Sequence, residues 1–188
     1  IHRGGLKAGE YCAIIGAGPI GLLAGMIAQA YGAHAILLDL VDERLQFAKE
    51  LGIEYVINSK TEDSVKRISE ITNGVMAQQV MECSGANAAI RSTLDLVSNA
   101  GRITLTGWPK TETPLPTDLI TKKEVDIRGA RTSAGEFEEA IELIHSGRVD
   151  IKNILTKVIS IDEAPATIVD IEKNPGNYMK VVVQVNEP

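Results

Sequence analysis

The residues from Tyr11 to Asp39 constrain the fold of this chain more than any others. They read YCAIIGAGPIGLLAGMIAQAYGAHAILLD, with a short apolar run, a glycine turn, a helix-forming run, a second apolar run at Ala35–Leu38 and then an acid. Strand, glycine turn, helix, strand and acid, in this order, are typical of the first unit of a dinucleotide-binding fold. Glycine-rich turns are common by themselves, but here the expected surroundings are also present.

The glycine turn has the spacing that a pyrophosphate requires. Gly16 permits the tight turn, Gly18 has no side chain to keep the pyrophosphate off the backbone, and Gly21 lets the helix pack close to the strand. The start of the helix presents free N–H groups and the positive end of its dipole. We therefore expect the phosphates to bind at this turn.

Asp39 favours one cofactor over its phosphorylated form. It follows Gly21 by eighteen residues, where a carboxylate can accept both ribose hydroxyls of an adenosine. The same carboxylate repels a 2′-phosphate, and no arginine follows it immediately. The sequence therefore predicts NAD rather than NADP, with a solvated strand end at Asp39 as the alternative interpretation.

Further strands and helices alternate after Asp39 and complete a sheet. Each helix shows an apolar face at helical spacing, and the stretch 108–116 is a proline-rich loop. Six strands with intervening helices over about 130 residues predict an α/β fold, a doubly wound six-stranded parallel sheet of the Rossmann type. The four later strands are expected at Tyr55–Ile57, Gln79–Cys83, Gly101–Gly107 and Val125–Ala130.

The C-terminal region has no place in a complete six-stranded sheet. A helix is expected at Glu136–Ser146, and strands are expected at Lys157–Ile161 and Met179–Val185. We expect these two strands to lie beside one another or in a separate layer, with exposed apolar side chains. The predicted division is a cofactor domain at 1–132 and a segment at 133–188 that belongs to a second domain.

Composition limits the classes of partner. The 188 residues are 44% hydrophobic and 23% charged, with a net charge of −6 and a pI near 5.1. These values are typical of a soluble globular protein and argue against nucleic acid or a membrane as partner. With no signal peptide and two thiols expected to be reduced, Cys12 and Cys83, the sequence predicts a cytoplasmic protein. Its cysteines and histidines lie far apart in sequence, and no metal site is expected in this chain.

With these residues identified, the chain resembles the zinc-dependent medium-chain dehydrogenase/reductase family, in the branch of sorbitol (polyol) and sugar-acid dehydrogenases. The similar stretches are GGLKAGEYCAIIGAGPIGLLA, AKELGIEYVIN, VMECSGANAAI, GRITLTGW, KKEVDIRGAR and SGRVDIKNILTKVISIDEAPA…YMKVVVQV. The resemblance implies a C-terminal half, namely a cofactor domain and a return segment to a GroES-like catalytic half. Zinc is implied for the full-length enzyme, with no ligands in this chain, so this part alone is expected to be inactive.

The resemblance also implies roles for individual residues. It places the adenosine ribose on Asp39, with Arg44 near the ribose and adenine, and the pyrophosphate near Lys180. For Arg44 the alternative is a solvated cation on its helix. The turn residues expected to touch the nucleotide are Gly16, Gly18, Pro19, Ile20 and Gly21.

Residues after the later strands are implied to line the cofactor cleft. Ser84 is either part of this cleft or a helix cap, and Trp108 is either beside the nicotinamide or a loop anchor. Polyol dehydrogenases have an arginine where Thr132 stands, whereas Arg131 fits the sugar-acid branch. The alternative for Arg131 is an ion pair with Glu136 or Glu138. The cleft residues are Ser84, Thr106, Gly107, Trp108, Ala130, Arg131 and Thr132.

The function predicted from sequence is the NAD-binding part of a zinc-dependent dehydrogenase that oxidises a secondary hydroxyl of a sugar, polyol or sugar acid. A zinc-free quinone-reductase-like oxidoreductase and a stand-alone nucleotide-binding or sensing domain are the alternatives. The strand Val125–Ala130 ends the sheet, and the resemblance implies that it pairs two subunits, as a homodimer or homotetramer. Lys122 and Lys123 before it are alternatively charges that protect the edge.

Overall fold

A computed structural model describes residues 1–186 and contains two parallel sheets. The strands are β1 (Tyr11–Ile15), β2 (His34–Asp39), β3 (Tyr55–Asn58), β4 (Ala77–Glu82), β5 (Val97–Leu105), β6 (Asp126–Gly129), β7 (Leu155–Ser160) and β8 (Lys180–Gln184). The α-helices are α1 (Pro19–Ala30), α2 (Asp42–Glu50), α3 (Ser64–Ile71), α4 (Asn87–Leu96), α5 (Thr117–Lys123), α6 (Phe137–His145) and α7 (Ala164–Lys173).

The first six strands form the predicted doubly wound sheet, in the order β3-β2-β1-β4-β5-β6. Strand β1 lies at its centre, because Cys12–Ile15 pair with Ala35–Leu38 of β2 on one side and with Gln79–Glu82 of β4 on the other. Helices cover both faces, so these strands are almost continuously apolar rather than alternating. The sequence-based prediction of fold class is confirmed.

Side chains on the two faces of β1 enter two separate apolar cores. Ile14 points into the core that contains α1 and α2, whereas Ala13 points into the core under α3 and α4. The first core also receives Leu143, Val149 and Ile154 from the C-terminal region. This region is therefore packed against the Rossmann sheet through its own buried residues.

The sheet edge at β6 contains a helix that the sequence analysis did not assign. Helix α5 begins after Pro116 and ends at Lys123, with Asp118 in its first turn, a pattern that favours a helix. The ammonium of Lys123 donates to the carbonyl oxygens of Leu94 at 2.7 Å and Val97 at 2.9 Å. Lys123 therefore binds the carbonyls at the end of α4 and does not serve as an edge-protecting charge.

Strand β5 is longer at its start than predicted. It begins at Val97, which lies opposite Ala77 of β4, and the register shifts before Arg102 pairs with Gln79. The expected start at Gly101 was wrong, because residues 98–101 form an irregularity in the ladder and still belong to the strand.

Strands β7 and β8 form a separate parallel pair, as expected from the sequence. Several of their valines remain exposed, including Val158, Val182 and Val183, while Ile159 is buried. The position of the domain boundary at 132/133 stays a prediction. Among the described residues 1–186, the helices are too short or too polar to span a bilayer.

Candidate cofactor site at the carboxyl ends of the strands

The glycine turn leaves open space in front of α1. Gly16 has φ +106°, a backbone conformation that favours glycine, and its N–H donates to the Leu38 carbonyl at 2.7 Å. A Cβ placed on Gly18 meets no heavy atom within 4 Å. Helix α1 begins at Pro19 with no side-chain cap and no acidic residue in its first turn. This part of the structure therefore fits a bound pyrophosphate.

Asp39 holds the glycine turn through its side chain. Its Oδ2 accepts a hydrogen bond from the Ala17 N–H at 2.7 Å, and its Oδ1 accepts from Leu40 at 2.8 Å and Val41 at 3.0 Å. The side chain is only 9% exposed, so Asp39 is not a solvated strand end. A carboxylate has about four lone-pair positions, and three N–H groups leave capacity for a ribose hydroxyl.

Arg44 on α2 points back towards this carboxylate. Its guanidinium nitrogen Nη1 lies 3.8 Å from Asp39 Oδ2, and its side chain is 35% exposed. Arg44 therefore lies beside Asp39 and is not an isolated cation on its helix. Contact with adenine stays a prediction.

Glu82 at the end of β4 is a site residue that the sequence analysis missed. It is fully buried, and its carboxylate accepts hydrogen bonds from the N–H groups of Ser84 at 2.7 Å and Gly85 at 3.0 Å. The Ser84 hydroxyl donates to the same carboxylate and accepts from Ala86 N–H at 3.2 Å, just before α4. The only sequence signal was an acid inside the apolar run VMEC.

The loop after β5 lies beside this carboxylate. The backbone oxygen of Glu82 accepts from the N–H of Thr106 at 2.9 Å and of Gly107 at 3.0 Å, and from the Thr106 hydroxyl at 2.6 Å. Trp108 follows with 74% of its surface exposed. The structure thus brings Ser84, Thr106, Gly107 and Trp108 together as one wall.

Arg131 extends the wall by stacking on Trp108. The guanidinium carbon lies 4.8 Å from the centroid of the Trp108 ring, within the range of a cation–π contact. Among ion pairs within residues 1–186, Arg131 has none with Glu136 or Glu138. Glu136 instead accepts from the N–H of Ala134, which lowers the pKa of its carboxyl.

The remaining predicted residues divide between the two sheets. Ala130 donates its N–H to Leu105 at 2.9 Å, which holds the segment after β6 against the end of β5. Thr132 has φ +55°, an uncommon conformation for threonine. Lys180 begins β8 in the separate sheet and is exposed. Apart from Arg44 on α2 and the first residues of α1, the other predicted residues lie at the carboxyl ends of strands in the large sheet.

The two cysteines are free thiols. Burial raises the pKa of Cys12 to about 12 and that of Cys83 to about 11, although the Thr106 hydroxyl, 3.3 Å from Cys83 Sγ, opposes the second shift. Within residues 1–186 the structure contains no group of three or more His, Cys, Asp or Glu side chains placed to hold a metal ion.

Fold and site together define a nucleotide-binding domain, and comparison with known proteins gives its family. Residues 19–146 match the family described as zinc-binding dehydrogenase, and the chain belongs to it. The chain is 54% identical over 181 residues to an uncharacterized zinc-type alcohol dehydrogenase-like protein of Haemophilus influenzae, covering 96% of this chain and 53% of that protein.

Other similar proteins carry more specific names. The chain is 34% identical to 2-dehydro-3-deoxy-L-galactonate 5-dehydrogenase of Pseudoalteromonas atlantica, covering 99% of this chain and 54% of that protein. The crystal structure of 2R,3R-butanediol dehydrogenase from Bacillus subtilis superposes with a TM-score of 0.90 at 27% identity, over 98% of this chain and 53% of that one. The chain therefore spans about half the length of these relatives.

Proposed function

We propose that this chain binds NAD(H) and forms the cofactor half of a zinc-dependent dehydrogenase that oxidises a secondary hydroxyl of a sugar, polyol or sugar acid. The observation that carries the proposal is the open space at Gly18 beside the fixed carboxylate of Asp39. The open space at Gly18 suits phosphates, and the Asp39 carboxylate suits the two hydroxyls of a ribose. Together they match the diphosphate and the ribose of an adenosine diphosphate.

Bound NAD supplies the acceptor for a hydride from the alcohol carbon. The residues of this chain bind and orient it. The start of α1 holds the pyrophosphate, Asp39 and Arg44 hold the adenosine ribose, and the wall formed by Ser84, Thr106–Trp108 and Ala130–Thr132 holds the nicotinamide half. The described residues offer no ligand set for zinc.

Two observations support the substrate class. The similar proteins are named for a galactonate derivative and for a butanediol, both of which carry secondary hydroxyls. The guanidinium of Arg131, exposed beside Trp108, adds a positive charge at the wall where an anionic sugar would lie. The proposed substrate class therefore includes sugar acids as well as neutral polyols.

The parallel pair β7–β8 favours a dehydrogenase over a stand-alone sensing domain. Two strands form only a marginal sheet by themselves, and exposed valines on this pair suit a further domain that packs on it. The zinc-free quinone-reductase-like alternative implies NADP as the cofactor. Asp39 disfavours it, because its carboxylate would repel the 2′-phosphate of NADP.

We further propose that the protein is cytoplasmic and forms a homodimer or homotetramer through β6.

Calorimetric titration of the protein with NAD, NADH, NADP and NADPH tests the proposal. We expect NAD and NADH to bind at least about tenfold more tightly than their phosphorylated forms, because the Asp39 carboxylate repels a 2′-phosphate. Tighter binding of NADP or NADPH would overturn the cofactor assignment. Absence of binding by all four would overturn the proposed function itself.

A further inference from the structure

Glu82 is a buried carboxylate that the proposed hydride transfer does not use. It stands at the last position of β4, opposite Ile15 of β1 and Leu105 of β5, and no part of it is exposed. Burying a charged group is costly unless hydrogen bonds compensate for the lost water. An acid at this position therefore requires a structural explanation that the neighbouring apolar residues do not need.

Within residues 1–186, the carboxylate accepts hydrogen bonds from two backbone N–H groups and one hydroxyl. Oε1 accepts from the N–H groups of Ser84 and Gly85 and from the Ser84 hydroxyl, and the Gly85 N–H also lies 3.2 Å from Oε2. A glutamine in place of Glu82 would offer only one accepting oxygen, and its NH2 group would face the N–H of Gly85. The carboxylate thus fixes the turn that follows β4.

The same residue fixes the turn that follows β5. Its backbone oxygen accepts from Thr106 and Gly107, and a Cβ on Gly107 would lie 2.3 Å from Glu82 Oε2 and 2.2 Å from Gly85 N. A Cβ on Gly85 would lie 2.8 Å from the Trp108 carbonyl oxygen. The two turns therefore pack backbone against backbone around one side chain, with no room for other side chains.

We propose that Glu82 is the positioning residue for the nicotinamide half of the cofactor. It acts through the wall of Ser84–Gly85 and Thr106–Trp108, whose shape it sets. The adenosine half depends on Asp39 at the end of β2 and on the glycine turn after β1, and no hydrogen bond of the Glu82 carboxylate reaches them within residues 1–186. This inference rests on the proposed binding of NAD.

The two halves can be measured separately, because ADP-ribose is NAD without the nicotinamide. The experiment is calorimetric titration of the intact protein and its Glu82→Gln variant with NAD and with ADP-ribose. We expect the variant to bind NAD about tenfold more weakly, since the wall loses a charged acceptor. Its affinity for ADP-ribose should stay within about twofold of that of the original protein.

A carboxylate at the opposite end of the central strand provides the matched control. Glu10 forms an ion pair with Arg102 before the start of β1, away from the carboxyl ends of the strands. Glu10→Gln should lower the melting temperature but change NAD and ADP-ribose binding equally. Should Glu82→Gln fail to fold, Ser84→Ala removes one donor to the same carboxylate, and we expect about a threefold loss of NAD affinity alone.

The possible contrary outcomes distinguish the two proposals. Unchanged NAD affinity in Glu82→Gln, or equal losses of NAD and ADP-ribose affinity, would overturn the role of Glu82. That role is also overturned if Glu82→Gln does not fold and Ser84→Ala binds NAD normally. Failure of the original protein to bind NAD or ADP-ribose would instead overturn the proposed function.

Discussion

Gly21 lies so close to Gly16 that a Cβ atom on Gly21 would stand 1.8 Å from the Gly16 carbonyl oxygen. Gly18, in the same turn, has an extended backbone with φ −76°, and a Cβ there would meet no atom within 4 Å. The two glycines therefore have different requirements. Gly21 is needed for the fold, whereas nothing in the protein itself prevents a side chain at Gly18.

Alanine substitutions should separate these requirements. We expect Gly18→Ala to change the free energy of unfolding by less than about 1 kcal/mol, because its backbone conformation is open to alanine. The same variant should lose at least about tenfold in NAD affinity, since the methyl group occupies the place of the pyrophosphate. Gly21→Ala should cost more than about 4 kcal/mol, because backbone must move. Urea denaturation and NAD titration measure both effects, and normal NAD binding by Gly18→Ala would contradict this account of the turn.

Two substitutions of Asp39 should distinguish its charge from its contact with the turn. In Asp39→Asn the amide oxygen can still accept the Ala17 N–H, but the charge that repels a 2′-phosphate is gone. We expect NADP and NAD to bind this variant with affinities within about threefold of each other. Asp39→Ala should show the same loss of preference and lose a further ~1–3 kcal/mol of stability relative to Asp39→Asn, because the Ala17 N–H also loses its acceptor. Paired titrations and denaturation curves check this, and an unaltered preference in Asp39→Asn would refute the electrostatic explanation.

The sequence predicted the sheet well because its strands are apolar on both faces. The run ending at Ile15 and the glycine turn identify β1 and the start of α1 without tertiary information. Helix α5 was missed because only Leu119 and Ile120 of its residues pack into the core, so no apolar stripe marks it. Its stability depends in part on Lys123 and the end of α4, a contact that sequence periodicity does not contain.

The candidate site was predictable only in part, for a similar reason. Residues of the glycine turn and Asp39 follow a fixed spacing within one supersecondary unit. The burial of Glu82 and the stacked pair Arg131–Trp108 depend on neighbouring segments that are distant in sequence. Glu82 lies on β4 between Ile15 of β1 and Leu105 of β5, and Arg131 after β6 stacks on Trp108 after β5. No local pattern specifies that an acid in an apolar run becomes buried, or which partner a surface arginine selects.

Substitution of Arg131 should reveal whether it contacts an anionic substrate. In the intact enzyme, Arg131→Met should lower kcat/KM for an aldonic acid, by an amount equivalent to about 2–4 kcal/mol in the free-energy barrier. The kcat/KM for the corresponding neutral alditol should change little. The guanidinium can bind a carboxylate with two parallel hydrogen bonds, which methionine cannot provide. Kinetic measurements with matched acid and alditol pairs give the comparison.

Arg91→Met is the control for this experiment. Arg91 pairs with Asp95 within α4 at 3.0 Å and is partly exposed to solvent, so its loss should affect both substrates equally and slightly. Equal losses on acid and alditol in Arg131→Met would mean that Arg131 supports only the Trp108 loop.

The exposed edge of β6 should pair two subunits. Ile127 lies on this edge and is 36% exposed, and the strand contains no proline that would interrupt a ladder between subunits. We expect light scattering to give at least twice the subunit mass, and Ile127→Asp to lower it by placing a charge on the edge. Val65→Asp on α3, at a comparably exposed site, should leave the mass unchanged. A monomeric mass for the original protein at high concentration would exclude pairing through β6.

The central position of β1 has a consequence for the order in which the chain can fold. Residues 1–58 contain β1, β2 and β3, which are neighbours and can associate as soon as they have been synthesised. The other side of β1 pairs Cys12 with Gln79, which is made 67 residues later. Until then Ile14 and Ile15 belong to an open, apolar strand edge, and such edges recruit other chains. Synthesis of β4 therefore marks the point at which the nascent protein no longer exposes this edge.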